Sequence, residues 1–180
     1  GQIVEKEIVW NSKWSQPLPP GKWEVVNSFG LVTWKAIRFN ALSLAQVADG
    51  KIIALANISE VDLQGMGVTY GIVEEIYGTP QENQENCTPN SRYTLLKVKG
   101  RGYTMNCLAA AHMNMQYELY HHQDREMYIA YGIYRKYIAE NNLELAPVML
   151  WSGHLFFAPT VSTSLFIFEY FMDPEYFLNA

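Results

Sequence analysis

At 180 residues and 20.6 kDa, the chain has the usual size of one domain, and 49% hydrophobic residues supply ample material for a packed core, which excludes disorder. The formal net charge is -5, and lysine and arginine never cluster, so the sequence lacks the basic stripe that a nucleic-acid-binding protein needs. We therefore predict a single domain over residues 1–180 that does not bind nucleic acid.

The first half of the chain indicates short strands separated by turns. Neither face of residues 2–10 is cleanly apolar, which is typical of an edge strand. Three prolines and Gly21 within residues 14–21 predict a connection. Further strands are predicted at residues 23–29, 31–39, 52–57 and 67–76. Residues 43–47 are compatible with one turn of helix, and residues 78–91 form a polar loop.

Residues 103–119 carry the clearest pattern in the sequence. Every odd position is apolar, whereas the even positions are mostly polar and include His112 and Glu118, which is the period of a half-buried strand. The Ala, Met, Leu, Gln and Glu content favours a helix instead, but a helix would place His112 and Gln116 on the buried stripe. We predict one long central strand with a break near Ala110, because strands usually run to about six residues.

The second half combines strands with one helix. Residues 92–98 read as a strand, and Asp124 as an N-cap followed by Met127, Tyr131 and Ile138 at helical spacing predicts a helix over residues 124–141. Residues 147–157 and 165–172 are apolar on both sides, which indicates central strands. Prolines and polar residues interrupt residues 145–168 too often for a membrane-spanning helix of about 20 apolar residues. The predicted fold is α+β: a twisted, mostly antiparallel sheet with one long helix on a face.

The histidines are the candidate catalytic residues. His112 and Glu118 would point the same way on one strand but lie roughly 20 Å apart, so they cannot act as a pair. If His112 and His154 were cross-strand neighbours, with Glu118 or Glu169 nearby, the polar side of the sheet would offer an acid/base site for a hydrolase. The alternative is that His154 is a core or rim histidine.

No phosphate loop, paired-cysteine metal box or hydrolase elbow is present in the sequence, so we predict no cofactor and no metal. Four tyrosines in the predicted helix cannot all face inward, and exposed tyrosines commonly contact a partner. They form a candidate binding surface for a protein, a glycan or a lipid: Tyr128, Tyr131, Tyr134 and Tyr137. The alternative is crowded core packing with hydroxyl groups that reach water.

Cys87 and Cys107 are the two cysteines of the chain, which opens at Gly1 without a methionine. If a signal peptide was removed, the protein is exported, and an even cysteine count then favours a disulfide. A bridge closing the loop of about 20 residues would contribute on the order of 3 kcal/mol. The alternative is a pair of reduced core cysteines.

Several landmarks resemble a family of uncharacterised exported proteins of proteobacteria. They are Trp14, the run LPPGKWEVV from Leu18, Cys87 and Cys107 flanking a strand, Ala146-Pro147 before a strand, and YFMDPE from Tyr170. The resemblance implies a periplasmic or envelope-associated protein whose precursor carries a signal peptide and whose sheet holds the paired cysteines. The family has no assigned activity. We therefore expect a non-enzymatic binding or interaction module, and the alternative is a small envelope enzyme that uses His112 and His154.

Overall fold

The computed structural model describes residues 1–11, 14–32, 38–62, 94–97, 105–121, 129–157 and 164–178. Within them the fold is α+β, as predicted. The strands are β1 (Ile3–Val4), β2 (Glu7–Asn11), β3 (Trp14–Pro17), β4 (Trp23–Val32), β5 (Arg38–Ala48), β6 (Lys51–Asp62), β7 (Thr94–Lys97), β8 (Met105–Asn114), β9 (Glu144–Leu145), β10 (Val148–Phe157) and β11 (Ser164–Met172). The helices are α1 (Met115–His121), α2 (Ile129–Asn141) and α3 (Pro174–Leu178).

One mostly antiparallel sheet organises these elements. Eight of its strands follow the order β1-β4-β5-β6-β11-β10-β8-β7, and β9 adds in parallel to β6. The strands β2 and β3 form a separate antiparallel hairpin. Because β6 and β11 lie in the middle of the order, their side chains pack on both faces of the sheet.

The helices cover one face of the sheet and build the larger core. Side chains from α1 and α2 pack there against odd-numbered residues of β6, β10 and β11. The fully buried members from the helices are Met115, Leu119, Tyr131 and Tyr134. The predicted packing of one long helix on a face is confirmed.

The β2–β3 hairpin covers part of the opposite face and builds a second core. Ile8 and Leu18 pack there with Trp23 against even-numbered sheet residues. Trp23 is 0% exposed, and its indole N–H donates to Pro19 O at 3.0 Å. Gly21, which precedes β4, has φ +120, and a Cβ at this position would collide with the Gln46 side chain. The turn therefore requires glycine.

The N-terminal predictions need three corrections. Residues 2–10 do not form one strand, because the chain changes direction at Lys6 (φ 69). Their first part, β1, lies at the edge of the sheet, as predicted. Their second part, β2, belongs to the separate hairpin. The stretch 14–21 is not only a connection, since Trp14–Pro17 pairs with β2 and its proline closes the strand. Residues 31–39 span the end of β4 and the start of β5, which pair with each other.

Residues 43–47 belong to β5 and not to a helix, because both neighbouring strands hydrogen-bond to this stretch. The predicted strand at 52–57 is confirmed within the longer β6, and the strand at 92–98 is observed as β7. The predictions for residues 67–76 and 78–91 lie outside the described residues.

The single long strand predicted at residues 103–119 is wrong in three respects. The strand ends at Asn114, and Met115 begins α1. The pairings of β8 show no register shift, so the break near Ala110 is absent. The strand is also not central, because β10 and β11 lie between it and β6. The Asn114 Oδ1 atom accepts a hydrogen bond from the Tyr117 N–H at 3.1 Å, which caps the helix.

The C-terminal half agrees better with the sequence. The predicted helix is confirmed over Ile129–Asn141, and residues 124–128 lie outside the described part. Both apolar strands, β10 and β11, lie inside the sheet, as predicted. In the segments that the structure describes, no helix is long and apolar enough to cross a membrane.

Candidate functional site

The candidate site lies on the sheet face opposite α2. We call it the hairpin face and define it by the even-numbered residues of β6 from Ala54 onward and of β8, β10 and β11, with Asn40 and Leu42 of β5 and Ser28 and Gly30 of β4. In an antiparallel sheet, directly opposed residues project to the same side. The registers therefore place these residues in rows that run across the strands.

Two adjacent rows carry the chemistry of this face. One row runs from Asn40 through Glu60 and Phe166 to Phe156. The next row runs from Leu42 through Ile58 and Phe168 to His154. The three phenylalanines and His154 are all half-buried. The face therefore combines a carboxylate with aromatic side chains that retain contact with solvent.

A groove lies between β2 and this face. Its volume is about 510 Å³, and its lining combines apolar and polar side chains. The lining residues are Ile8, Val9, Ser28, Phe29, Gly30, Asn40, Ala41, Leu42 and Glu60. Ligand sites in proteins usually have apolar walls with a few polar groups, whereas polar groups contribute at least as much as apolar ones to the lining of this groove.

Two neighbours orient the Glu60 carboxylate in the groove. Ser164 Oγ donates to Glu60 Oε1 at 2.8 Å, and Asn40 Nδ2 lies 3.5 Å from Glu60 Oε2. Asn40 Oδ1 in turn points toward Gly30, where a Cβ would approach it to 2.8 Å. The Asn40 amide therefore lies between Glu60 and Gly30, with its nitrogen toward the Glu60 carboxylate and its oxygen toward Gly30.

His112 and His154 share the hairpin face but are not cross-strand neighbours. His154 lies opposite Leu108, whereas His112 lies four residues further along β8. At the rise of an extended strand, this offset is about 13 Å. His112 is exposed, and burial lowers the pKa of His154, which favours its neutral imidazole.

The carboxylates expected near these histidines lie elsewhere. Glu118 is in α1 and not on the strand, because the chain turns into a helix at Met115. Glu169 lies on the helix-covered face, where its Oε1 atom accepts a hydrogen bond from the Trp151 indole at 3.3 Å. The structure therefore does not assemble the predicted acid/base site.

Three of the four tyrosines of the predicted binding surface lie in the described residues, and two of these three are buried. Tyr131 and Tyr134 are buried in the core, so they present no surface to a partner. Tyr137 is half-buried and donates to Glu24 Oε2 at 2.7 Å, and this hydrogen bond lowers the pKa of Glu24. Tyr128 lies outside the described residues.

Sequence reasoning missed the residues that line the groove, because their strands meet only in the folded sheet. A signal was present in Glu60, which is a charged residue on a strand otherwise rich in Ile, Ala and Leu. Its position indicates a polar group on a solvent-exposed face of the sheet, but the sequence does not reveal the hairpin that forms the opposite wall of the groove.

The cysteine prediction remains a prediction. Cys87 lies outside the described residues, and the backbone of Cys107 pairs with Lys97 and Leu155 in β7 and β10. No group of three or more metal-ligating side chains comes together in the described ranges. Comparisons with protein-family models, curated proteins and solved structures found no match. The functional argument therefore depends on the geometry of the site.

Proposed function

We propose that this protein is a non-enzymatic binding module of the bacterial cell envelope and that the hairpin face is its binding surface. The observation that carries the proposal is the set of half-buried phenylalanines beside the groove: Phe156, Phe166 and Phe168. Rings held by paired strands offer apolar contact area with little conformational entropy left to lose on binding. An envelope protein, a glycan or a lipid could supply the complementary surface.

No observation favours the alternative enzyme. General acid/base catalysis needs its two groups within hydrogen-bond reach of one substrate. The offset of about 13 Å between His112 and His154 is too large for that role. The hairpin face therefore fits recognition better than proton transfer.

A neutral apolar dye, N-phenyl-1-naphthylamine, tests the binding surface. We expect a saturable rise in its fluorescence with the wild-type protein and about tenfold weaker binding after Phe166→Thr, since about 1.4 kcal/mol of lost contact corresponds to tenfold. Tyr117→Ala is the matched control, because this aromatic ring is 50% exposed on α1. Equal weakening by both substitutions, or no saturable binding, would contradict the proposal.

Export and the disulfide need a separate measurement. The resemblance to exported proteins and the pair Cys87 and Cys107 support an oxidising compartment. Intact mass spectrometry of the cell-derived protein, alkylated with and without prior reduction, should show two alkyl groups only after reduction. Two free thiols before reduction would argue against the envelope.

A further inference from the structure

We infer that two copies of this chain associate through the open edge of β4, which pairs antiparallel with the same edge of the second copy. The inference goes beyond the proposed function, because it concerns an edge of the sheet and a different partner. Three features of β4 support it: backbone groups that no described strand pairs with, an uncharged sequence and a regular register.

The outer edge of β4 is open over most of its length. On one side, β4 pairs with β5 as far as Val32. On the other side, β1 pairs with the first two residues of β4, and this contact ends where the Val25 N–H donates to Gln2 O at 2.8 Å. No strand in the described ranges pairs with the outer edge of residues 26–32. About half of the backbone N–H and C=O groups of this segment therefore point away from the sheet, as they do along any edge strand.

The sequence of this edge lacks the protection that edge strands normally carry. Natural edges avoid pairing with other chains by placing charged residues, above all lysine, or proline on the strand. From Val25 to Trp34 the sequence is VVNSFGLVTW, which contains neither a charged residue nor a proline. Val32 is apolar and yet 66% exposed, and Ser28 and Gly30 are exposed as well. A strand that pairs with this edge therefore meets no charge on it.

The register leaves six residues of β4 regular enough to pair. A register shift interrupts the pairing with β5 between Val25 and Asn27, next to the part that β1 covers. From Asn27 to Val32 the pairing with β5 is regular. Six extended residues span about 20 Å, which is the usual length of a strand in a sheet. The open part of β4 therefore offers the length of a full strand for pairing.

A second copy of the chain is the occupant that matches this edge. An antiparallel pair of identical strands is self-complementary, because each contact that one copy makes is returned by the other. The net charge of -5 makes copies of the chain repel each other, so they meet most favourably at an uncharged surface. The stretch from Val25 to Trp34 is such a surface. It offers no acidic side chain to a basic partner, which the net charge would otherwise attract.

A twofold axis through Phe29, perpendicular to the sheet, produces this pairing. It places Phe29 opposite its own copy on one face, and on the other face Ser28 lies opposite Gly30 of the second copy. The axis also keeps the hairpin faces of both copies on the same side of the joined sheet. Because Ser28 and Gly30 line the groove, the two grooves would lie side by side across the axis.

Sedimentation velocity at protein concentrations from about 1 μM to about 200 μM tests the inference, since an interface of a few paired residues is small and should associate weakly. The sedimentation coefficient should rise from that of a 20.6 kDa monomer to that of a dimer. Val32→Lys should weaken the dimer about tenfold or more, because it adds a charge to the edge in both copies. Val9→Lys is the matched control: Val9 is also 66% exposed, lies on β2 and changes the net charge equally, so the dimer should persist.

A pair of charge variants tests the antiparallel contact directly. The axis places the two copies of Ser28 diagonally across the paired strands, about 7–8 Å apart. Ser28→Lys and Ser28→Glu should each dimerise about tenfold more weakly than the wild type, because like charges then face each other. An equal mixture of the two variants should recover the dimer, since the charges across the axis are then opposite.

Hydrogen exchange of the wild-type protein needs no substitution. Amides of residues 26–32 should exchange more slowly in concentrated than in dilute protein, whereas those of β2 should exchange equally in both. If a substitution prevents folding, this measurement decides alone.

A protein that stays monomeric at every concentration would overturn the inference and leave the edge to an extended segment of a different protein. Equal weakening by Val32→Lys and Val9→Lys would overturn it as well, as would a dimer whose residues 26–32 gain no protection, because the copies would then meet elsewhere. The dye measurements on the phenylalanines test the proposed function separately, so either idea can fail without the other.

Discussion

Tyr134 places a hydroxyl group inside the core between α2 and the sheet. The residue is 0% exposed, and its O–H lies 2.7 Å from Ala56 O and 3.1 Å from Asn57 Oδ1. Ser43 Oγ also donates to Asn57 Oδ1, at 2.9 Å. Burial raises the pKa of Tyr134, so the hydroxyl remains a donor at any physiological pH. The hydroxyl groups of Tyr134 and Ser43 thereby share Asn57 Oδ1 as an acceptor inside the core.

Tyr134→Phe should therefore lower the free energy of unfolding by about 1–2 kcal/mol, because the acceptors stay buried after the donor is removed. Urea unfolding should show a lower midpoint with an unchanged m-value. Tyr117→Phe, at a residue that is 50% exposed, should lower the midpoint less. Identical midpoints for the two variants would mean that the buried hydroxyl contributes nothing.

His154 should make stability depend on pH. Burial lowers its pKa below the usual value of about 6.5, so the unfolded chain binds more protons in the window between the two values. Stability should therefore fall as pH drops from about 7 through this window. Urea midpoints measured from pH 8 to pH 5 should decline less in His154→Gln than in wild type, whereas His112→Gln should retain the wild-type decline. Parallel curves for all three proteins would refute this assignment.

Sequence alone could not predict these buried polar contacts. Ser43 and Asn57 lie in β5 and β6, and Tyr134 lies 77 residues beyond Asn57. Periodicity identifies which residues share a face of one element, but it carries no information about the element that packs on that face. The tyrosines consequently resembled a surface stripe, although two of them complete the core.

The boundary between β8 and α1 shows why the clearest pattern in the sequence was misleading. Met115 and Leu119 are four residues apart, so they share a face in a strand and also in a helix. Both are buried in the core, which satisfies either pattern. Two signals in the sequence marked the change from strand to helix: the helix-favouring composition and the capping residue Asn114. In the structure, the Met115 N–H donates to Pro147 O at 3.0 Å, which fixes the start of the helix.

Asn114→Ala should destabilise α1 and lower the free energy of unfolding by about 1 kcal/mol, because the Tyr117 N–H loses its acceptor. Asn114→Asp should retain most of that stability, since aspartate caps equally well. Chemical denaturation followed by far-UV circular dichroism measures both. If Asn114→Asp lowered the free energy of unfolding as much as Asn114→Ala, the cap would not stabilise the helix.

The whole molecule consists of two cores that share one sheet. Leu55 is buried beneath the helices, and Leu44 is buried beneath the hairpin. The strands that carry these residues, β5 and β6, lie in the interior of the sheet. We therefore expect a substitution in one core to destabilise the other core as well. The apolar character of β10 and β11 predicted their inner positions, but the sequence could not identify β6 as the partner of β11, because that pairing joins distant segments.

Leu44→Ala and Leu55→Ala should each cost about 2–5 kcal/mol, because each leaves a cavity in a packed core. If the two cores form one cooperative unit, tryptophan fluorescence and circular dichroism should give coincident urea transitions in both variants. Val9→Ala, at a 66% exposed position, should change the midpoint little. Separate transitions in either variant would show that the hairpin unfolds independently of the helix-covered core.

The pairing of β6 with β11 has a consequence for biosynthesis. Asp62 and Ser164 lie about 100 residues apart in the chain but pair at the middle of the sheet. On the ribosome, β1 to β6 emerge long before β11, and the edge of β6 that pairs with β11 stays unpaired until β11 is translated several seconds later, at about 5–20 residues per second. During that interval the nascent sheet exposes the strand edge and apolar side chains that β11 later covers, so this protein should depend on chaperones while it is being made.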